Sequence, residues 1–136
     1  MSMLPAIYVH NTSGVRYADA IVQGYKPIET RTRDVLGAFV GRRVLVIRTC
    51  PSKRPMVIGS VFVREKVFHD MAAMEYIRDL TLIPPGSRFD CHGKGKWCYM
   101  LGNPIAFSEP IPLESFHVVR RTRSYAVIEY PVSNKK

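Results

Sequence analysis

No stretch of this 136-residue chain approaches the roughly 18 unbroken apolar residues of a membrane helix, which excludes a spanning helix. Met1 to Val9 has neither a basic start nor an apolar run of signal-peptide length, so the expected location is the cytoplasm. Cysteine is scarce. Cys50, Cys91 and Cys98 form an odd set with no secretory signal beside it, which predicts reduced thiols rather than a disulfide framework. Structural zinc sites use close pairs such as C-x-x-C; here six residues separate Cys91 from Cys98 and no second pair exists, so no metal is expected, nor any other cofactor. Gly93-Lys94-Gly95-Lys96 lacks the G-x-x-x-x-G-K-[ST] arrangement of a nucleoside-triphosphate loop. There is no internal repeat, linker or low-complexity block, and one domain is expected over residues 1–136. Acidic residues are the minority charge, 11 against 20 Lys and Arg. The net charge of +9 makes a field that attracts polyanions, with nucleic acid the foremost.

What is present reads as short strands with two helices among them. Leu4 to His10 is an apolar strand, followed by a turn and capping cluster at Asn11-Thr12-Ser13-Gly14. Val15, Ala18, Ile21 and Val22 fall at helical spacing, predicting a helix over 15–23 that Gly24 terminates. Pro27 and the β-branched Thr30 and Thr32 predict extended chain over 28–33, with Glu29 and Arg31 pointing the same way. Residues 43–50 and 56–68, rich in Val and Ile, predict a long hairpin. A second helix is expected over 69–80, stopped by Pro84-Pro85-Gly86, then a polar loop to Lys96. Strands follow at 97–101 and 105–107, kept short by Pro104, Pro110 and Pro112, and at 118–119 and 124–132. A basic tail begins near residue 120, and Asn134-Lys135-Lys136 is expected to fray. The pattern is that of an α+β domain with a small, partly closed barrel.

The densest polar segment runs from Gly24 to Asp34. Within it Gly24, Lys26, Glu29 and Arg31 match the G-x-K-x-x-E-x-R signature of ASCH domains, a group related to PUA-like barrels. Tyr17-Ala18-Asp19-Ala20-Ile21 resembles that family's first helix, Gly41 to Ile47 with Val57 to Val61 its central strands, and Trp97 to Pro104 its late strand. The resemblance spans about residues 4 to 113 and implies a PUA-like β-barrel with two or more flanking helices and a cleft at the signature. It also implies RNA or modified nucleotides as substrate or ligand. After Pro112 the chain departs from the family, carrying Glu114 to Val119 and Arg120-Arg121-Thr122-Arg123 where a Gly-rich, Trp-containing segment is usual.

Each signature residue has a physical use. Lys26 brings an ammonium that can meet a phosphate with little part in stability, or act as a base once desolvated. Glu29 can accept from a base edge, and Arg31 can fork onto phosphate or brace Glu29. Ser13, Tyr25 and Trp97 join them as candidate ligand-binding residues, the aromatics through stacking. Arg33, Lys94, Lys96, Arg120, Arg121 and Arg123 are candidates for the nucleic-acid backbone. Three functions stay open: a module for RNA, single-stranded DNA or a nucleotide-like ligand; a hydrolase of RNA or a modified nucleoside using Lys26 and Glu29; and a protein-binding adaptor. For the hydrolase, the family's amidohydrolases pair the signature lysine with a threonine three residues on, where this chain has Glu29, and Thr30 would face the other side of the strand. The oligomeric state is not encoded in any of these features.

Overall fold

The computed structural model describes residues 2–130. Seven strands form one mixed sheet: β1 (Ser2–His10), β2 (Ile28–Arg31), β3 (Arg43–Cys50), β4 (Lys53–His69), β5 (Lys96–Pro112), β6 (Val118–Arg121) and β7 (Tyr125–Tyr130). Three short helices accompany them: α1 (Tyr17–Val22), α2 (Met71–Tyr76) and α3 (Arg78–Thr81). The strand order is β2-β5-β4-β3-β1-β7-β6, with β1 parallel to β3 and every other pairing antiparallel. The barrel expected from the sequence is corrected here: no ladder joins the edge strands β2 and β6, and the sheet stays open. No helix among the described residues is long and apolar enough to cross a membrane.

The apolar run Val44-Leu45-Val46-Ile47 is continuous because β3 is buried on both faces. Val44 and Val46 meet the face of α1 with Ile7, Val9, Ile21 and Tyr99, while Leu45 and Ile47 pack on the reverse with Ala6, Phe116 and Ile128. The predicted hairpin of β3 and β4 forms, joined by a tight turn at Pro51–Ser52. β5 is a single 17-residue strand rather than two short pieces. Beyond Met100 it has lost its β2 partner and lies at an open edge, where prolines cost no cross-strand hydrogen bond on the free side. The second helix divides at Ile77 into α2 and α3, and Leu82, in a left-handed conformation (φ 64°), ends the segment. The end of the last expected strand, Val132, and the expected frayed tail lie outside the described residues.

Candidate functional site

The site begins at the end of α1. Gly24 (φ +88°) turns the chain out of the helix, with Gly24 N–H bonded to the Ile21 carbonyl and Tyr25 N–H to the Ala20 carbonyl, the paired bonds of a Schellman terminator. That turn sends Lys26 inward. Pro27 starts the extended path of β2, and the Leu101 N–H on the Pro27 carbonyl anchors it to β5. Along β2, Glu29 lies opposite Tyr99 and Arg31 opposite Trp97, so the two charged side chains share a face, as their alternation predicts.

These three residues stand where the edge strand β2 comes against the end of β1, with which it makes no ladder. β1 runs past the end of β7, whose neighbouring Ser124 carbonyl takes the Tyr8 N–H at 3.1 Å. The Tyr8 carbonyl is then met by Arg31, whose Nη2 donates at 2.7 Å while its Nε donates to Glu29 Oε2 at 2.9 Å. A guanidinium thus bridges β1 and β2 where backbone pairing stops. Between them is a cavity of about 50 Å³, lined by Val9, His10, Tyr17, Lys26, Glu29, Thr30, Ile83 and Phe89. It has room for several waters or the leading edge of a ring. Tyr17 and Phe89 meet edge to face at 5.6 Å, and His10 approaches Phe89 at 6.4 Å, which makes one wall aromatic.

Lys26 is 2% exposed. Its Nζ donates to the carbonyls of Ile28 (2.8 Å) and Thr81 (2.6 Å), lies 3.7 Å from Glu29 Oε1 and sits over the Tyr17 ring. This corrects the expectation of a phosphate-seeking side chain with little part in stability, because the ammonium fastens α3 to β2 from within. Burial lowers its pKa to about 8, and the Glu29 charge opposes that shift. Burial also raises the pKa of the Tyr17 phenol, with Glu29 adding to the effect. Glu29 Oε1 makes an ion pair but no hydrogen bond within 3.5 Å, so it is the acceptor with capacity to spare.

The remaining candidates disperse. Lys96 is not at the surface: it is 4% exposed and its Nζ donates to the Phe89 carbonyl at 2.6 Å, fixing the aromatic wall; burial lowers its pKa. Trp97 does not line the cavity, and packs edge to face on Phe68 beneath the Lys66 ammonium. Tyr25 is 71% exposed outside it. Ser13 is exposed in the turn before α1, and the cap is supplied by Asn11, whose Oδ1 accepts from Ala18 N–H at 2.9 Å. Arg33 and Lys94 are exposed. Arg120, Arg121 and Arg123 are exposed along β6 and the turn into β7, and that turn leads into Ser124, the partner of Tyr8 beside Arg31. Thr30 lines the cavity together with Glu29 although it pairs with Cys98 on the other face.

Val9, His10, Ile83 and Phe89 are the cavity residues with no sequence signal, since they come from the end of β1 or from a loop that only folding brings to β2. Arg78 holds that loop, donating from Nη1 to the Ile83 carbonyl (2.8 Å) and to Asp90 Oδ1 (3.2 Å).

No protein-family model matches the chain, and no curated protein matches it. Solved structures do. ASCH from Zymomonas mobilis superposes with a TM-score of 0.63 at 23% identity, over 80% of this chain and 74% of that one. A variant of the same protein with a tyrosine replaced by phenylalanine gives 0.58 at 21% identity, over 80% and 76%. Another, with a serine replaced by alanine, gives 0.60 at 21%, over 80% and 75%. This chain has the fold of an ASCH domain.

Proposed function

We propose that the chain binds single-stranded RNA and inserts the edge of one base into the cavity between β1 and β2. The observation that carries this reading is the chemistry of that cavity. An aromatic wall of Tyr17 and Phe89 faces a buried carboxylate, Glu29, one of whose oxygens has acceptor capacity left. A flat ring with an exocyclic amine suits such a wall, giving its π-face to the aromatics and its N–H to the carboxylate. Three cations, Lys26, Lys96 and Arg31, lie around the one carboxylate, so the surroundings also favour the carbonyl acceptors of a base. The exposed arginines of the β6–β7 turn border the same opening and suit a phosphate backbone.

A second reading, hydrolysis of RNA or a modified nucleoside, is favoured by one observation: a buried lysine with its pKa near 8, 3.7 Å from a carboxylate. A panel of nucleosides and short single-stranded oligonucleotides titrated against the labelled protein tests both. Binding should shift the resonances of Tyr17, Glu29 and Phe89 first, and Glu29→Gln should weaken it by about ten- to a hundred-fold, the equivalent of one charge-assisted hydrogen bond. Unchanged affinity in a folded Glu29→Gln protein would overturn the binding reading. Turnover of RNA or an acylated nucleoside that is lost in both Lys26→Met and Glu29→Gln would establish the second.

A further inference from the structure

Outside the cavity lies a second feature that none of the signature residues forms. The β3–β4 hairpin and the start of α1 enclose a depression of about 310 Å³ lined by Arg16, Arg48, Cys50, Lys53, Arg54 and Met56. Arg16 also lines a shallower one, about 510 Å³, which follows the exposed side of α1 to Tyr25 and Leu82. The two adjoin at that arginine and together form a groove that it divides. Its relation to the cavity is fixed by neighbours in sequence: Arg16, Tyr25 and Leu82 line the groove, while Tyr17, Lys26 and Ile83 line the cavity. Groove and cavity therefore occupy two sides of the same wall.

The groove carries a net positive charge. Asp19 alone serves both Arg16 (2.6 Å) and Arg48 (3.6 Å), holding two guanidiniums in place while neutralising the charge of one. Arg54 is paired with Glu114 at the exposed surface, and among the described residues Lys53 has no carboxylate within ion-pair distance. Four cations against two carboxylates leave a positive groove with an exposed aromatic ring at its far end. That is the combination of backbone-tracking charge and stacking platform that single-stranded nucleic acid uses.

We infer that this groove is the track for the phosphodiester backbone of a single strand, with Lys53, Arg54, Arg48 and Arg16 on successive phosphates and Tyr25 stacking on a base that stays outside the cavity. The inference rests on the cavity being a base site and gives that site its flanking contacts. Lys53→Gln combined with Arg54→Gln tests it, both residues being exposed at the hairpin and remote from the core. The probe is a fluorescently labelled, mixed-sequence single-stranded RNA, titrated at several salt concentrations.

The double variant should bind at least tenfold more weakly at low salt. Its log K against log salt slope should be shallower by about 1.4, from about 0.7 per lost phosphate contact. Cys50, partly exposed in the groove, supplies an independent readout. Its alkylation should be slowed by the RNA and not by a mononucleoside, which fills only the cavity. A weakened groove variant beside an unaffected Glu29→Gln would sustain the groove and sink the cavity reading. The reverse pattern, or unchanged slope and unprotected Cys50, would overturn the groove. Absence of any RNA binding would overturn both, and protection of Cys50 by polyglutamate but not RNA would assign the groove to an acidic protein instead.

Discussion

A buried lysine is defined by what its N–H groups reach. The neutral amine of Lys26 has two N–H bonds, and two carbonyls, of Ile28 and Thr81, are within hydrogen-bond distance. The third proton of the ammonium faces Glu29 at 3.7 Å, too far for a hydrogen bond, so deprotonation breaks no close contact and removes a buried charge. This accounts for a pKa near 8 against an ordinary 10.5. The consequence for stability has a definite sign. Between about pH 8 and 10.5 the unfolded chain takes up a proton at this lysine that the folded chain does not, so the native state gains stability as pH rises through that window. Lys26→Met removes that dependence and leaves two carbonyls without a donor, at about 1–3 kcal/mol each. Denaturation of both proteins across the window should show the variant less stable throughout, with a gap that widens by roughly 3 kcal/mol from pH 8 to 10.5. A gap independent of pH would mean that Lys26 is not the buried titrating group described here.

The long strands are shaped by close backbone approach. β4 carries Gly59 where a Cβ would lie 2.2 Å from the Ile105 carbonyl of β5 and 2.8 Å from Val22 of α1. Register shifts on either side of this position bend the pair so that α1 fits against the sheet. Gly59→Ala should therefore cost about 1–3 kcal/mol or more in urea denaturation, by displacing β5 and loosening the helix whose end delivers Lys26. Gly14→Ala, in open space before α1, is the matched control and should change stability by no more than about 0.5 kcal/mol. Equal effects at the two sites would contradict the packing of α1 on β4.

At the scale of the whole molecule, the fold rests on two apolar layers about one sheet and on no cross-link among its described cysteines. Cys98 is buried, its thiol against Met74 Sδ at 3.5 Å, and burial pushes its pKa up to about 11, while Cys50 and Cys91 are partly exposed in different parts of the fold. Among the described residues no three His, Cys, Asp or Glu side chains gather as metal ligands do. Chelator and reductant should therefore each leave the melting temperature unchanged. A fall with chelator, restored by zinc, would place a metal in the fold and overturn this account.

Local chemistry alone determined much of this protein. The Gly24 terminator, the extended course of Ile28 to Arg31, the common face of Glu29 and Arg31 and the hairpin of β3 and β4 all follow from glycine and proline torsions, β-branching and two-residue alternation. The G-x-K-x-x-E-x-R spacing likewise placed Lys26 and Glu29 side by side. The tertiary structure decided what these residues face. Whether Lys26 and Lys96 meet solvent or backbone carbonyls depends on α3 and the loop before β5, which are more than fifty residues beyond Lys26 and are drawn in by the core beneath them. The sheet's failure to close, the Arg31 bridge from β2 to the end of β1 and the cavity between those strands are likewise products of strand pairings distant in sequence. A local pattern can state which side of a strand a residue takes; only the assembled chain determines what stands opposite.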